Sequence, residues 1–323
     1  MGRYLIRRTM FGVLVLIIIS ILTFVIFLKL PAGDPARRLA GRQPTEEKLA
    51  QIRINYGLDQ PFWTQYGKFA RGMIPWPGLF LDEKIYFSWV NNVAVKDEIA
   101  SAFPFTAVLT VGAVILWLLM GIPIGILSAI RRRTWADRAS MTFALLGVSM
   151  PTFWLGMLMI FFFYYKLGWA PPTGIDIGDG AIETALKGKF VLAWITLAVT
   201  SAAFYTRIVR GNMLETLSED YIRTARAKGL SERRVTYKHA LRASLTPVVT
   251  MLGLDIAGLL AGAIITEQVF VLPGLGLYAI RKLEGQDFPP VMAVTMLAAL
   301  LIVVANLIVD VIYAALDPRV RYT

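Results

Sequence analysis

The side chains with the clearest chemical potential lie between Arg207 and Arg242. Nine cations crowd this stretch: Arg207, Arg210, Arg223, Arg226, Lys228, Arg233, Arg234, Lys238 and Arg242. No nucleophile–base pair and no metal-ligand spacing accompanies them, so the chemistry on offer is ionic contact rather than bond making. Such a segment binds anionic lipid headgroups or touches something soluble at the membrane face. Nucleic-acid readout would want stacking aromatics or a recognition fold, and neither is apparent.

The pattern inside the stretch separates these options. Leu217, Tyr221 and Ala225 recur every four residues, with Met213 and Leu214 one turn earlier. That predicts a helix with one apolar stripe and a charged back. Gly229 fits the position just past a helix end, where a left-handed residue is favoured. Ser231 then caps a second short helix, with Glu232 in its first turn. Val235, Ala240 and Leu241 follow, and the chain returns to apolar sequence at Pro247. Lipid binding explains the charge but not a Gly-Leu-Ser break between two helices.

A membrane must position this element. The chain has 323 residues, 56% of them hydrophobic, and a mean hydropathy of +0.60. Spans are predicted at Thr9–Leu28, Phe105–Ile130, Ala139–Tyr165, Phe190–Tyr205, Pro247–Leu272 and Val291–Leu316, the fourth continuing through Arg210. Twenty helical residues rise about 30 Å, the hydrocarbon thickness. Backbone groups there must bond internally, so apolar runs this long are helices. The chain lacks cysteine and has one histidine, His239. Disulfides, thiol catalysis and a multi-His metal site are therefore excluded.

With the N-terminus inside, the cytoplasmic segments hold Arg3, Arg7, Arg8, Arg131, Arg132, Arg133, Arg138, the nine cations above, Arg319 and Arg321. The outer segments are close to charge balance. This is the positive-inside bias, so the net charge of +11 reports topology, with both termini cytoplasmic. Residues 1–30 read as a retained signal anchor, because Leu30-Pro31-Ala32-Gly33-Asp34-Pro35 is a poor cleavage site. Residues 31–104 form an extracytoplasmic loop with short amphipathic helices. Residues 105–323 form a core of five further spans that includes the cytoplasmic segment 207–246.

In the outer loop, Thr45 caps a helix with Glu46 and Glu47 in its first turn. Leu49, Ile52 and Tyr56 share a face, and Gly57 ends it. A second helix starts at Pro61, with Phe62, Tyr66, Phe69 and Met73 on one side and Pro75-Trp76-Pro77-Gly78 as its break. It reads as an aromatic interfacial helix and as a dock for an extracytoplasmic partner, and the two roles are compatible.

Within the spans, Gly121 and Gly125, and Gly258 and Gly262, are each four apart and let helices approach closely. Met150-Pro151 predicts a kink. Asp255, Asn306 and Asp310 are polar groups in spans, and Glu267 lies near an outer end. All four are candidate translocation-path residues. For Asp310, an ion pair or cap near the cytoplasmic end is the structural alternative.

The centre of the basic stretch reads Asp220-Tyr221-Ile222-Arg223-Thr224-Ala225-Arg226-Ala227-Lys228-Gly229-Leu230-Ser231. It resembles the cytoplasmic loop of membrane subunits of bacterial ABC importers of the dipeptide/oligopeptide/nickel class. That loop carries Glu-Ala-Ala, three residues, then Gly, which correspond here to Arg223-Thr224-Ala225, Arg226-Ala227-Lys228 and Gly229. The Glu is absent, and the later Ile-x-Leu-Pro pattern reads His239-Ala240-Leu241-Arg242. The peptide branch shows this departure. Gly33-Asp34-Pro35, Tyr56-Gly57-Leu58-Asp59, Gly121-Ile122-Pro123-Ile124-Gly125, Pro151-Thr152-Phe153-Trp154-Leu155-Gly156, Pro273-Gly274-Leu275-Gly276 and Asp317-Pro318-Arg319 extend the resemblance over nearly the whole chain.

The resemblance implies an all-α polytopic membrane protein with six transmembrane helices and the type I importer permease fold. It implies a homologous second permease, two ATP-binding subunits and an extracytoplasmic substrate-binding protein as partners. Arg223, Thr224, Ala225, Arg226, Ala227, Lys228, Gly229, Leu230, Ser231, Glu232, Arg233 and Arg234 would couple to the ATPase. Gly274, Leu275, Gly276 and Asp287 would meet the binding protein. No Gly-x-x-x-x-Gly-Lys-[Ser/Thr] occurs, so the chain lacks that phosphate cradle and is not expected to be an enzyme. ATP and Mg would be bound by partner subunits, and no cofactor or metal by this chain. Peptide is the expected cargo, with nickel chelate, glutathione or oligosaccharide as alternatives. A secondary transporter would usually show more spans or an inverted repeat. A channel would show a filter motif.

Overall fold

The computed structural model describes residues 2–30, 36–37, 45–72, 86–176 and 178–316. Every apolar run there is helical, and the described residues hold one isolated bridge, between Phe87 and Ala94. Four helices are each long and apolar enough to cross a bilayer: α1 (Gly2–Phe24) with its π extension Val25–Lys29, α4 (Val95–Ile130), α8 (Val191–Ser218) and α15 (Phe288–Leu316). A fifth crossing is bent by 103° at Met150-Pro151, between α5 (Trp135–Ser149) and α6 (Thr152–Met159) with its π extension Ile160–Lys166. A sixth joins Glu232–Ser244 to α12 (Thr246–Leu260) through a 50° bend.

A further pair, α13 (Ile264–Phe270) and α14 (Leu275–Glu284), is bent by 88°. Its contacts lie at the outer end of the bundle. Gly174 N–H donates to the Phe270 carbonyl (3.0 Å), and Lys282 donates to Glu98 (2.8 Å). The pair is therefore an outer re-entrant hairpin, and the described residues hold six crossings, with Gly2 and Leu316 on the basic side.

Three boundaries differ from the sequence reading. The second span begins at Val95, not Phe105, so the expected domain boundary at 104 falls inside α4. Asp97 and Glu98 favour its first turn, and Val95, Ile99 and Ala102 are buried, which outweighs Pro104 inside the helix. The expected span Pro247–Leu272 stops at Leu260, and Gly262 has φ +129. The fourth span runs past Arg210 to Ser218.

Between lipid-facing helices packing, not hydrophobicity, supplies the attraction, so small residues mark the seams. α4 and α8 form the main one. A Cβ on Gly121 would sit 2.9 Å from Tyr205 Cβ, and one on Gly125 would sit 2.8 Å from Val209 Cβ. Leu109, Ala113, Trp117, Ala202, Val209 and Met213 fill the seam. The second small pair behaves differently: Gly262 abuts Gly276, but Gly258 faces open space.

The outer helices α2 (Glu46–Tyr56) and α3 (Phe62–Arg71) form as the sequence predicts. Thr45 Oγ1 accepts from Lys48 N–H (3.4 Å), and Gly57 has φ +62. Phe62, Tyr66 and Phe69 surround Phe24 at ring distances of 5.4 to 5.6 Å, seating α3 on the outer end of α1. Met73, Pro75-Trp76-Pro77-Gly78, Gly33-Asp34-Pro35 and Asp317-Pro318-Arg319 lie outside the described residues.

Candidate functional site

The basic segment is a folded element at the cytoplasmic end of α8. Glu219 is extended (φ −67, ψ 149), so α9 (Asp220–Ala227) starts afresh after Ser218. This break shifts the helical phase. Ile222 and Ala225 turn inward, whereas Tyr221, placed on the buried stripe by its spacing, is 46% exposed. Partial burial and the nearby Glu219 charge still push the Tyr221 phenol up, so it stays neutral.

α9 ends as a Schellman turn. Gly229 N–H donates to the Arg226 carbonyl (2.9 Å), Leu230 N–H to the Ala225 carbonyl (3.4 Å), and Gly229 has φ +75. A Cβ there would meet nothing within 4 Å, so the glycine is required by backbone angle and not by space. Ser231 adopts the extended cap conformation, but its hydroxyl makes no capping bond. The turn is instead strapped by a pair that spacing alone did not suggest. Arg226 donates to Glu232 twice, Nε to Oε1 at 2.8 Å and Nη2 to Oε2 at 3.3 Å.

Beyond the turn, α10 (Glu232–Arg234), the π turn Val235–Ala240 and α11 (Leu241–Ser244) run back to the membrane. Val235 and Ala240 are fully buried. Asn212 donates to the Ser244 carbonyl (3.2 Å), pinning the return to α8. Arg223, Thr224, Arg226, Ala227, Lys228, Gly229, Ser231, Glu232, Arg233 and Arg234 form one exposed surface, while Ala225 is buried and Leu230 half-buried.

In the first turn of α5 sits Asp137, 5% exposed. It accepts two bonds from Arg210, one from Ser128 Oγ (2.6 Å) and one from Arg133 N–H (2.8 Å). Neither Asp137 nor Ser128 stood out in the sequence. The only signal was one acid in the first turn of α5, close to Arg131, Arg132, Arg133 and Arg138.

The four polar residues in the spans do not converge. Asp255 lies within α12 and accepts from the Tyr205 hydroxyl at 2.6 Å. Asn306 bonds back to its own helix at Ile302 (2.9 Å). Asp310 forms an ion pair with Arg8 at 2.5 Å, tying α15 to α1. Glu267 has no exposed surface and lines no open space. It accepts from Thr106 Oγ1 (2.7 Å) and Leu277 N–H (2.8 Å), while Thr106 accepts from Leu275 N–H (2.8 Å). This carboxylate closes the outer hairpin onto α4.

The four expected binding-protein contacts lie inside the chain's own packing. Gly274, Leu275, Gly276 and Asp287 are all buried. A Cβ on Gly274 would overlap Glu267 and Thr106, so that glycine serves internal packing. Asp287 accepts from Ser88 Oγ (2.5 Å) and Trp89 N–H (2.8 Å). The exposed residues beside them are Arg281, Leu283, Glu284, Gly285 and Gln286. Among the described residues no cluster of three His, Asp or Glu could hold a metal ion.

A bundle of six crossings with a rigid basic turn on one face and a buttressed hairpin on the other defines a membrane transport component. The chain belongs to the family described as binding-protein-dependent transport system inner membrane component, whose model matches residues 121–322. The corresponding N-terminal model matches residues 1–110. It is thus a permease component of an inner-membrane ABC importer and works with an ATPase and a substrate-binding protein.

Its relatives include the glutathione transport system permease protein GsiC of Shigella boydii serotype 4 (strain Sb227) and of Escherichia coli (strain K12). Each is 39% identical over 322 residues, covering 100% of both chains. The inward-facing MetNI methionine ABC transporter shares the fold, with 18% identity, a TM-score of 0.53, and coverage of 69% of this chain and 97% of that one.

Proposed function

We propose that this chain forms half of the translocation path of a peptide importer and that residues 220–240 transmit the ATPase stroke. A homologous second permease would complete the path, and two ATP-binding subunits would drive it. The observation that carries this reading is the exposed α9–Gly229–α10 turn. It presents its cations on a surface whose angle is set by a Schellman turn and the Arg226–Glu232 strap. A lipid-binding tail would need charge but no such rigidity.

ATP and Mg would be held by the partner subunits, since no phosphate-binding loop occurs here. The exposed residues flanking buried Asp287 would form the binding-protein dock. Asp287 supports this by fixing the turn around Ser88 to α14. Full-length identity to glutathione permeases favours small peptides as cargo. Nickel chelate and oligosaccharide remain the rival cargoes.

The test is purification and reconstitution. The chain should copurify with two ATPase subunits and a second permease, and the complex should take up peptide with ATP and binding protein. The isolated chain should hydrolyse no ATP. Uptake that persists without ATPase subunits would select a secondary transporter instead.

A further inference from the structure

We infer that Asp255 and its surroundings form a mid-membrane way-station for an organic ammonium group of the cargo. The inference rests on the importer reading and specifies what the path recognises. Asp255 borders an open hollow of about 410 Å³, lined also by Trp117, Ser201, Phe204, Tyr205 and Gly258. It stands nine residues into α12, about 14 Å from that helix's cytoplasmic start. A carboxylate at this depth is costly without a counter-charge or water. Among the described residues its hydrogen-bond partner is the Tyr205 hydroxyl, and no cation pairs with it.

The chemistry of the lining selects the ligand class. A hard metal ion wants about six to eight oxygens. Here one carboxylate, one phenol and the hydroxyls of Ser201 and Thr200 belong to the lining, and the Thr200 hydroxyl is already bonded to its own helix at Leu197 and Thr196. Trp117 and Tyr205 pack with ring centroids 5.8 Å apart. One anionic acceptor beside the half-buried Phe204 ring suits an ammonium group, which takes one charged hydrogen bond and cation–π contact. Gly258 adds no side chain to the hollow, and the space beside it is open. The Tyr205 hydroxyl holds the carboxylate in place and leaves its second oxygen for the cargo.

The experiment compares the parent complex with Asp255→Asn, Asp255→Glu and Tyr205→Phe in proteoliposomes. The probes are a tripeptide with a free amine and its N-acetyl counterpart, chosen so that the binding protein delivers both. Saturating binding protein makes the comparison one of maximal rates. Asp255→Asn should slow the free-amine peptide about tenfold and the acetylated one little, as expected for a lost charge-assisted hydrogen bond. Asp255→Glu should retain most of the rate, and Tyr205→Phe should weaken the discrimination less than Asp255→Asn does. Parental rates for Asp255→Asn, or equal slowing of both peptides, would overturn the inference. So would loss of the second permease from the purified variant, which would show that the carboxylate pairs with that subunit. A parent complex that carries neither peptide would sink the importer reading and this one with it.

Discussion

Arg210 grips Asp137 with two parallel hydrogen bonds, Nε to Oδ1 at 2.7 Å and Nη2 to Oδ2 at 3.0 Å. The pair joins the α4–α5 corner to α8 just before α8 hands over to the basic turn. The pair therefore braces α8 against the α4–α5 corner. Arg210→Ala should cost about 2 kcal/mol, less than a fully buried pair loses. The reason is that Arg210 keeps 24% of its side-chain surface exposed. Arg210→Lys should recover only part, because a single ammonium cannot make the two-pronged contact. Thermal melts of the detergent-solubilised complex measure both. An unchanged melt for Arg210→Ala would show that the pair braces nothing.

Charge and hydropathy made the topology legible. The cation excess set the orientation, and the uncharged runs located the crossings. What they could not show was backbone geometry between helices. The 88° turn before α14 depends on Val271 in the left-handed region (φ +53) and on Gly274 packed against Glu267. A β-branched valine gives no sign of a left-handed φ, and the contact of Gly274 with Thr106 on α4 is long-range. In the basic segment, Gly229 was readable because a left-handed turn demands glycine. The inward turn of Ile222 was not, because one extended residue, Glu219, resets the phase.

The α4–α8 seam offers a packing test. A Cβ on Gly125 would lie 2.8 Å from Val209 Cβ and 2.9 Å from the Thr206 carbonyl. One of those neighbours is backbone, so relief requires the helices to part. Gly125→Leu should cost about 1–3 kcal/mol or block folding outright. Gly258→Ala, which meets only open space, is the control and should assemble normally. Comparable yields of folded protein for the two variants would contradict the close seam.

Glu267 is a brace, so its removal should unsettle the outer hairpin. Glu267→Ala strips the acceptor from Leu277 N–H and from the Thr106 hydroxyl. Each buried orphan costs about 1–3 kcal/mol. Glu267→Gln keeps the shape and one acceptor oxygen and should lose less. A double-mutant cycle with Thr106→Val should show coupling of about 1 kcal/mol between the two positions. Additive effects would mean that the contact contributes no pairwise energy.

Gly229 isolates geometry from sterics. Its φ of +75 disfavours any Cβ, yet a Cβ would touch nothing within 4 Å. Gly229→Val therefore strains only the backbone, by about 1–2 kcal/mol, too little to unfold six packed crossings. The turn should relieve that strain by changing its angle, and α10 should swing with it. The Arg226–Glu232 strap then loses its alignment, because its two bonds depend on that angle. Membrane insertion should stay at the parental level, while subunit retention falls or ATP hydrolysis continues without matching uptake. Lys238→Ala is the comparison: its side chain is exposed and sets no backbone angle, so it should do less. Retention, ATPase rate and uptake are measured together on both reconstituted variants. If Gly229→Val assembles, hydrolyses and transports like the parent, residues 220–240 do not set the coupling geometry.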